Sequence, residues 1–219
     1  IWDYVTDFSH YLLPFPNQRV RNDNIKLFLE NNVRGIFEQD TYNTPHSELA
    51  ALGGYMTARF LLDPNYDENL AMNEFLEAYY GKAAVPIRKY LDHLHDRVEK
   101  ENLHVVIWAP PTSPHLTTPL LLVADELWDE AEKLVGDNPE FLRRVKLSRM
   151  SVDYAIVERA RGEAGKRQGD TTIVTLARKR FAPFLETLGA SGLTNLSEGS
   201  RLNADEYRRG LAEALKIKP

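Results

Sequence analysis

The chain has 219 residues, of which 43% are hydrophobic and 27% charged, and its formal net charge is −5. Because an acidic chain of ordinary globular composition lacks a clustered basic face, we expect no nucleic-acid partner. Cysteine is absent, which excludes disulfides, thiolate metal ligands and a cysteine nucleophile. The longest apolar stretch, residues 120–124, falls far short of the roughly 18 residues that a membrane span requires, so we expect no membrane partner.

The first 43 residues predict a βαβ unit. Ile1 to Phe8 is rich in β-branched and aromatic residues, which favours a strand. After a loop with two prolines, Asn22 or Asp23 is placed to cap a short helix whose inner face carries Ile25, Phe28 and Leu29. Residues 33–38 then read as a second strand, and the order strand, helix, strand implies parallel pairing.

From residue 44 onward the hydrophobic spacing is helical. Thr44-Pro45 predicts a helix start, and Gly81 predicts the end of a helix over residues 68–80. A linker rich in glycine and charge is expected near residues 162–170. Further helices are predicted to start at Pro86, Pro119 and Asn138-Pro139, and two more to cover residues 173–188 and 205–216.

One predicted helix carries a cluster of basic residues. Arg143, Arg144, Lys146 and Arg149 alternate with apolar positions over a short stretch. Two interpretations fit this pattern: a solvated face of the helix, which we favour, or a patch that binds phosphate.

Two strands are too few for an independent sheet, so the βαβ unit needs partner strands. The chain begins at Ile1 without a methionine or a leader pattern, which favours a longer polypeptide. We therefore predict a mainly α chain in two parts. Residues 1–62 form the last two βα units of a (β/α)8 barrel whose remainder lies upstream, and residues 63–219 form a helical region.

In such a barrel the active site lies at the C-terminal ends of the strands. Asp3 and Glu38 are the candidate catalytic carboxylates, because glycosidases use two carboxylates about 5–10 Å apart. In the alternative interpretation, Glu38 pairs with a neighbouring arginine or backbone donor, and Asp3 caps a neighbouring element.

Aromatic rings beside carboxylates and amides suit a sugar, since a ring stacks on the C–H face while polar groups bind the hydroxyls. We therefore predict carbohydrate as the partner. His93 and His95 are two residues apart and point to different faces of a helix, so we expect no metal and no cofactor. The candidate substrate-binding residues are Trp2, Tyr4, Gln39, Asp40 and Tyr42.

Four segments resemble a known family in order and spacing. The resemblance covers about the first 100 residues and points to an uncharacterised bacterial family, a domain of unknown function with glycoside-hydrolase-like character. Its members often lie beside a domain similar to the N-terminal domain of alpha-glucuronidases. The segments are Trp2-Asp3-Tyr4, the loop at residues 13–17, Gly35 to Gln39 and Glu74 to Gly81.

The resemblance implies a barrel of the hexosaminidase and glucuronidase type, in which the last strand supplies a carboxylate that holds sugar hydroxyls. That role would fall on Glu38. The proton-donating carboxylate usually comes from strand four, which this chain does not contain, so the chain alone is expected to be inactive. Two alternatives stay open at this point: a non-catalytic carbohydrate-binding domain, and a purely structural helical domain.

Overall fold

Helices dominate the computed structural model, which describes residues 1–217. The prediction of a mainly α chain is therefore confirmed, although the last two residues of the predicted 63–219 region lie outside the described part. Within residues 1–217, no helix is both long and apolar enough to span a bilayer. The helices are α1 (Arg21–Glu30), α2 (Ala50–Leu62), α3 (Glu68–Tyr80), α4 (Ala84–Lys100), α5 (Thr118–Leu134), α6 (Pro139–Glu163), α7 (Thr171–Ser191) and α8 (Ala204–Leu215).

Two pairs of short strands accompany the helices. β1 (Trp2–Tyr4) and β2 (Phe37–Gln39) pair in parallel with α1 between them in sequence, as the βαβ prediction requires. Both strands are shorter than the sequence pattern indicates. The second pair, β3 (Asn195–Ser197) and β4 (Ser200–Arg201), is an antiparallel hairpin that the sequence analysis did not predict. The (β/α)8 barrel itself stays a prediction.

A single hydrophobic core runs through the helices. It extends from Leu12, in the loop after β1, to Leu215 at the end of α8. Trp128 of α5 and Tyr90 of α4 lie at its centre, with their rings 5.5 Å apart. Residues 164–170 separate α6 from α7 without regular structure. The proposed division at residue 62 stays a prediction, although side chains from both parts enter this core.

Local capping signals place several helix ends correctly. Asn138 Oδ1 accepts hydrogen bonds from the backbone N–H groups of Glu140 and Phe141, both at 3.1 Å, and α6 begins at Pro139. Thr117 caps α5 in the same way. Gly81 ends α3 with φ of +56°, a backbone conformation that favours glycine.

Two predicted helix starts are wrong, because the packing of distant elements sets where the capping side chains lie. The helix expected at Thr44-Pro45 begins only at Ala50, since Thr44 Oγ1 accepts a hydrogen bond from the backbone N–H of Thr194 at 3.2 Å. α1 begins at Arg21 without a side-chain cap. The Asn22 side-chain amide donates to the carbonyl of Tyr66 at 3.3 Å, and Asn22 Oδ1 is buried without a partner among the described residues.

The interpretation of the basic cluster as a solvated face is wrong for Arg149. Its side chain is 2% exposed and pairs with Asp125 at 2.5 Å and Glu132 at 2.7 Å, both on α5. Arg180 of α7 pairs with Asp153 at 2.7 Å beside it. These buried ion pairs join α5, α6 and α7. Arg143, in contrast, is exposed.

Candidate functional site

The two faces of the β1–β2 pair carry different chemistry. Register places Asp3 directly opposite Glu38, and Trp2 and Tyr4 opposite Phe37 and Gln39. Because side chains alternate along a strand, the two carboxylates share one face and the aromatic and amide groups share the other. The contacts agree with this alternation. The Trp2 indole donates to Gln39 Oε1 at 2.8 Å, and its ring lies 5.1 Å from that of Phe37.

Asp3 and Glu38 line a cleft of about 370 Å³. The rest of the lining includes Arg21 and Asn24 of α1 and, in the loop after α4, Leu103, His104, Val105 and Ile107. Asn17 adds a further amide and Phe15 an apolar ring. Glu38 therefore lies on the side of the strand pair that faces α1. The expected position was different, at the open end of the strand.

Arg21 is the buried cation of this cleft, and sequence analysis did not single it out. Its guanidinium donates to Thr57 Oγ1 at 2.9 Å and to Asn17 Oδ1 at 3.0 Å. A Cβ atom at Gly53 would lie 2.7 Å from Arg21 Nη2, so the absence of a side chain at Gly53 makes room for the guanidinium. Asn17 is four residues before Arg21, a spacing that suits contact across one helical turn.

Arg21 forms no close ion pair with the carboxylates around it. The carboxylates of Asp40, Glu38, Glu48 and Asp3 all act on it, yet within residues 1–217 none lies within 4.0 Å of its nitrogen atoms. Burial raises the pKa of Glu38, the charge of Asp3 raises it further, and Arg21 opposes both effects. Burial also raises the pKa of Asp40, against a 2.7 Å hydrogen bond from the backbone N–H of Thr41.

Glu48 is a second residue that the sequence analysis missed. Its backbone N–H donates to the carbonyl of Tyr11 at 2.9 Å, and its carboxyl oxygen Oε1 is buried without a partner among the described residues. Burial raises the pKa of Glu48 to about 8, although the charge of Arg21 opposes the shift. The carboxyl group is therefore mainly protonated at neutral pH and can donate a hydrogen bond.

The structure thus distributes the seven predicted site residues over three places. Asp3, Glu38 and Asp40 lie within the electrostatic range of Arg21. Trp2, Tyr4 and Gln39 lie on the opposite face of the strand pair, although Tyr4 also contributes to the lining of the cleft. Tyr42 is 65% exposed and its hydroxyl donates to Glu198 Oε1 at 3.2 Å, beside the β3–β4 hairpin.

The cleft has the chemistry of a site for a polar, uncharged organic ligand. Two opposed carboxylates and the amides of Asn17 and Asn24 offer acceptors and donors, and apolar groups line the rest. Among the described residues, no group of three or more histidine or acidic side chains is arranged to hold a metal ion.

Comparison with known proteins covers the N-terminal part only. Residues 1–92 match a family described as a domain of unknown function (DUF4838). This confirms the resemblance of that part to a domain of unknown function, while the glycoside-hydrolase link and the neighbouring glucuronidase-like domain stay predictions. No curated protein and no solved structure matches the chain.

Proposed function

We propose that this chain supplies a sugar-binding site to a glycoside-hydrolase-like protein. The observation that carries the proposal is the opposition of Asp3 and Glu38 in one cleft of about 370 Å³. Carboxylates accept hydrogen bonds from sugar hydroxyls, and the cleft falls within the size range of small-molecule sites. Its apolar wall suits the C–H face of a pyranose ring.

In the complete protein the same pair would bind sugar hydroxyls. Burial and the charge of Asp3 both make Glu38 hold its proton more tightly than an ordinary glutamate. A protonated carboxyl group can donate a hydrogen bond as well as accept one, which suits a hydroxyl ligand. We therefore assign a binding role to Glu38 and Asp3, since the resemblance assigns proton donation to strand four of the barrel.

The face of the strand pair that carries Trp2 and Phe37 is a second place where a sugar could bind. Trp2 is 63% exposed and Phe37 56% exposed, although both faces of parallel sheets are normally covered. This openness supports the proposal that β1 and β2 are the last strands of a (β/α)8 barrel completed by other strands. Barrel helices lie outside the sheet, so Trp2, Tyr4 and Gln39 would then face the interior.

The cleft also bears on the two alternatives. A purely structural helical domain has no need for a concave polar site beside Glu38, so the cleft argues against that function. A carbohydrate-binding domain without catalysis uses the same cleft and differs only in releasing no product.

The test is an NMR titration of the ¹⁵N-labelled chain with glucose, xylose, galactose and N-acetylglucosamine. Glu38→Gln removes the charge from the cleft and should weaken binding about tenfold, since a hydrogen bond to a charged group is worth roughly 1.5–3 kcal/mol. Trp2→Ala, on the opposite face, should change affinity less than about twofold if the sugar lies in the cleft.

Glu186→Gln and Leu62→Ala serve as controls, because both residues are exposed and lie on other elements. Loss of binding in Trp2→Ala with none in Glu38→Gln would move the sugar to the aromatic face. Absence of binding to all four sugars would contradict the proposed function.

A further inference from the structure

A second cavity, of about 360 Å³, lies between the first turns of α6 and the last turns of α7. His46, from the segment between β2 and α2, completes its lining. This volume falls within the range of small-molecule sites. Among the described residues, none lines both this cavity and the cleft at Asp3 and Glu38, so the cavity is separate from the proposed sugar site.

Two of the four basic residues that the sequence groups on α6 line this cavity. The other two have partners inside the fold, since Arg144 is held by Glu140 and by a backbone carbonyl of α3, and Arg149 lies in the buried network. Arg143 and Lys146 are exposed, and within residues 1–217 neither lies within 4.0 Å of a carboxylate oxygen. Their positive charges are therefore available to a ligand.

The cavity has an excess of positive charge in a chain whose formal net charge is −5. Arg143 and Lys146 are three residues apart on α6, so they are neighbours on the surface of the helix. His46 adds ring nitrogens from another element, and Glu186 is the one acidic residue among the described lining residues. The positive end of α6 and the negative end of α7 oppose each other, so the side chains supply the net charge.

The rest of the cavity wall is apolar and held in place. Leu142 and Leu147 contribute to the lining and also pack against the hydrophobic core. The hydroxyl of Ser191, at the end of α7, donates to the carbonyl of Leu188 at 2.7 Å and accepts from the backbone N–H of Leu193 at 3.1 Å. The cavity thus combines a fixed apolar wall with two unpaired cations, which suits an anion that has an apolar body.

We propose that this cavity binds a small organic phosphate, whose phosphate group lies at Arg143 and Lys146 and whose body packs against Leu142 and Leu147. A phosphate group carries up to two negative charges and three acceptor oxygens, enough for both cations at once. The guanidinium of an arginine binds phosphate through two parallel hydrogen bonds. A carboxylate offers one charge and two oxygens, and so satisfies fewer of these donors. The proposal goes beyond the sugar site and does not depend on it.

The ligand class is tested by isothermal titration calorimetry of the full chain with phenyl phosphate, inorganic phosphate, benzoate and benzyl alcohol. Phenyl phosphate should bind most tightly. Inorganic phosphate should bind about tenfold more weakly because it lacks the apolar ring. Benzoate should bind about threefold more weakly because it carries less charge. Benzyl alcohol, which is neutral, should show no saturable binding.

The site is tested by removing its charges one at a time. Arg143→Gln should weaken phenyl phosphate binding about fivefold, and Lys146→Gln about threefold, as expected for partly exposed charge pairs. Both variants should keep the melting temperature of the wild type, because neither side chain has an ion-pair partner among the described residues. Arg209→Gln, at an exposed position of α8, makes the same change in net charge and is the matched control.

The outcomes separate this site from general charge attraction and from the sugar cleft. Equal weakening by Arg143→Gln and Arg209→Gln would overturn the site, and so would unchanged affinity in Arg143→Gln and Lys146→Gln. Benzoate binding as tightly as phenyl phosphate would overturn the assignment of a phosphate. Glu38→Gln should leave phenyl phosphate binding unchanged, so the two proposals stand or fall separately.

Discussion

Glu48 is a residue whose burial lowers the stability of the fold. One of its carboxyl oxygens is buried without a partner among the described residues, and no basic group lies within 4.0 Å to form an ion pair. The hydrogen bond that it receives from the backbone of Phe15 and the charge of Arg21 offset only part of the cost of burial. Such groups are uncommon in ordinary packing and frequent at functional sites, where charge is arranged for a ligand.

Glu48 should make stability depend on pH. Its pKa is about 8 in the folded chain and about 4.5 in an ordinary glutamate. The folded state therefore holds the proton more tightly, and the free energy of unfolding falls as the pH rises from about 4.5 to 8. At neutral pH the loss should amount to up to roughly 3 kcal/mol.

Glu48→Gln removes this titration, so the variant should match the wild type near pH 4 and exceed its stability near pH 8. Urea unfolding across that range measures the difference. Glu77→Gln, at an exposed position of α3, is the control for the same chemical change outside the buried site. A constant difference for Glu48→Gln would show that Glu48 is ionised in the folded chain.

At the scale of residues, the sequence predicts those helix ends that depend only on neighbouring residues. Asn138 caps the helix that follows it and Gly81 ends the helix before it, and both functions need only neighbouring residues. Thr44 looks like an equally good cap, but its hydroxyl oxygen accepts a hydrogen bond from the backbone N–H of the distant Thr194. Glu48 gives no signal in the sequence, because its burial depends on the packing of distant elements.

Among the elements, α5, α6 and α7 are joined by charge as well as by apolar packing. Arg149 of α6 meets Asp125, Asp129 and Glu132 of α5, and Lys179 of α7 reaches the same Asp125 at 2.8 Å. The removal of one partner from a buried pair costs more than the pair contributes, because the other charge is left unpaired.

Arg149→Met should therefore destabilise the chain by about 3–5 kcal/mol. The variant keeps much of the side-chain volume but leaves Asp125 and Asp153 facing a reduced positive charge. Arg143→Met, on the exposed side of the same helix, is the matched control and should change stability by less than about 0.5 kcal/mol. Equal stability of the two variants in urea would mean that the network does not stabilise the bundle.

The sequence contains a signal for the burial of Arg149. Val145, Arg149 and Val152 are spaced by four and three residues, so they share one face of α6, and both valines are fully buried. The lengths of β1 and β2, in contrast, could not be predicted from the sequence. Parallel pairing follows from the βαβ order, but the strands are short because the backbone of Phe8 pairs with Ile107 instead of continuing β1.

For the whole molecule, the sequence predicts the helical class and the early parallel pair. It does not predict that the β3–β4 hairpin packs against the loop after β1, because no local pattern connects Glu198 with Phe8. The candidate site, like the fold, is predictable only in part. Strand-end chemistry predicts Asp3 and Glu38, which line the cleft, whereas Arg21 lines it only through the way α1 packs.

The docking of the hairpin on the loop after β1 has a consequence for cleavage of the chain. Lys166 and Arg167 lie exposed in the segment between α6 and α7, so brief trypsin treatment should cut there. The two fragments should nevertheless co-elute in gel filtration, because the buried face of α7 and the docked hairpin hold the second fragment to the first.

Separation of the fragments under native conditions would contradict this expectation. If they stay together, they form a complementation pair. Residues 1–167 and 168–219, produced as two chains, should then reassemble on mixing, and the contacts between the hairpin and the loop after β1 would form only in the reassembled complex.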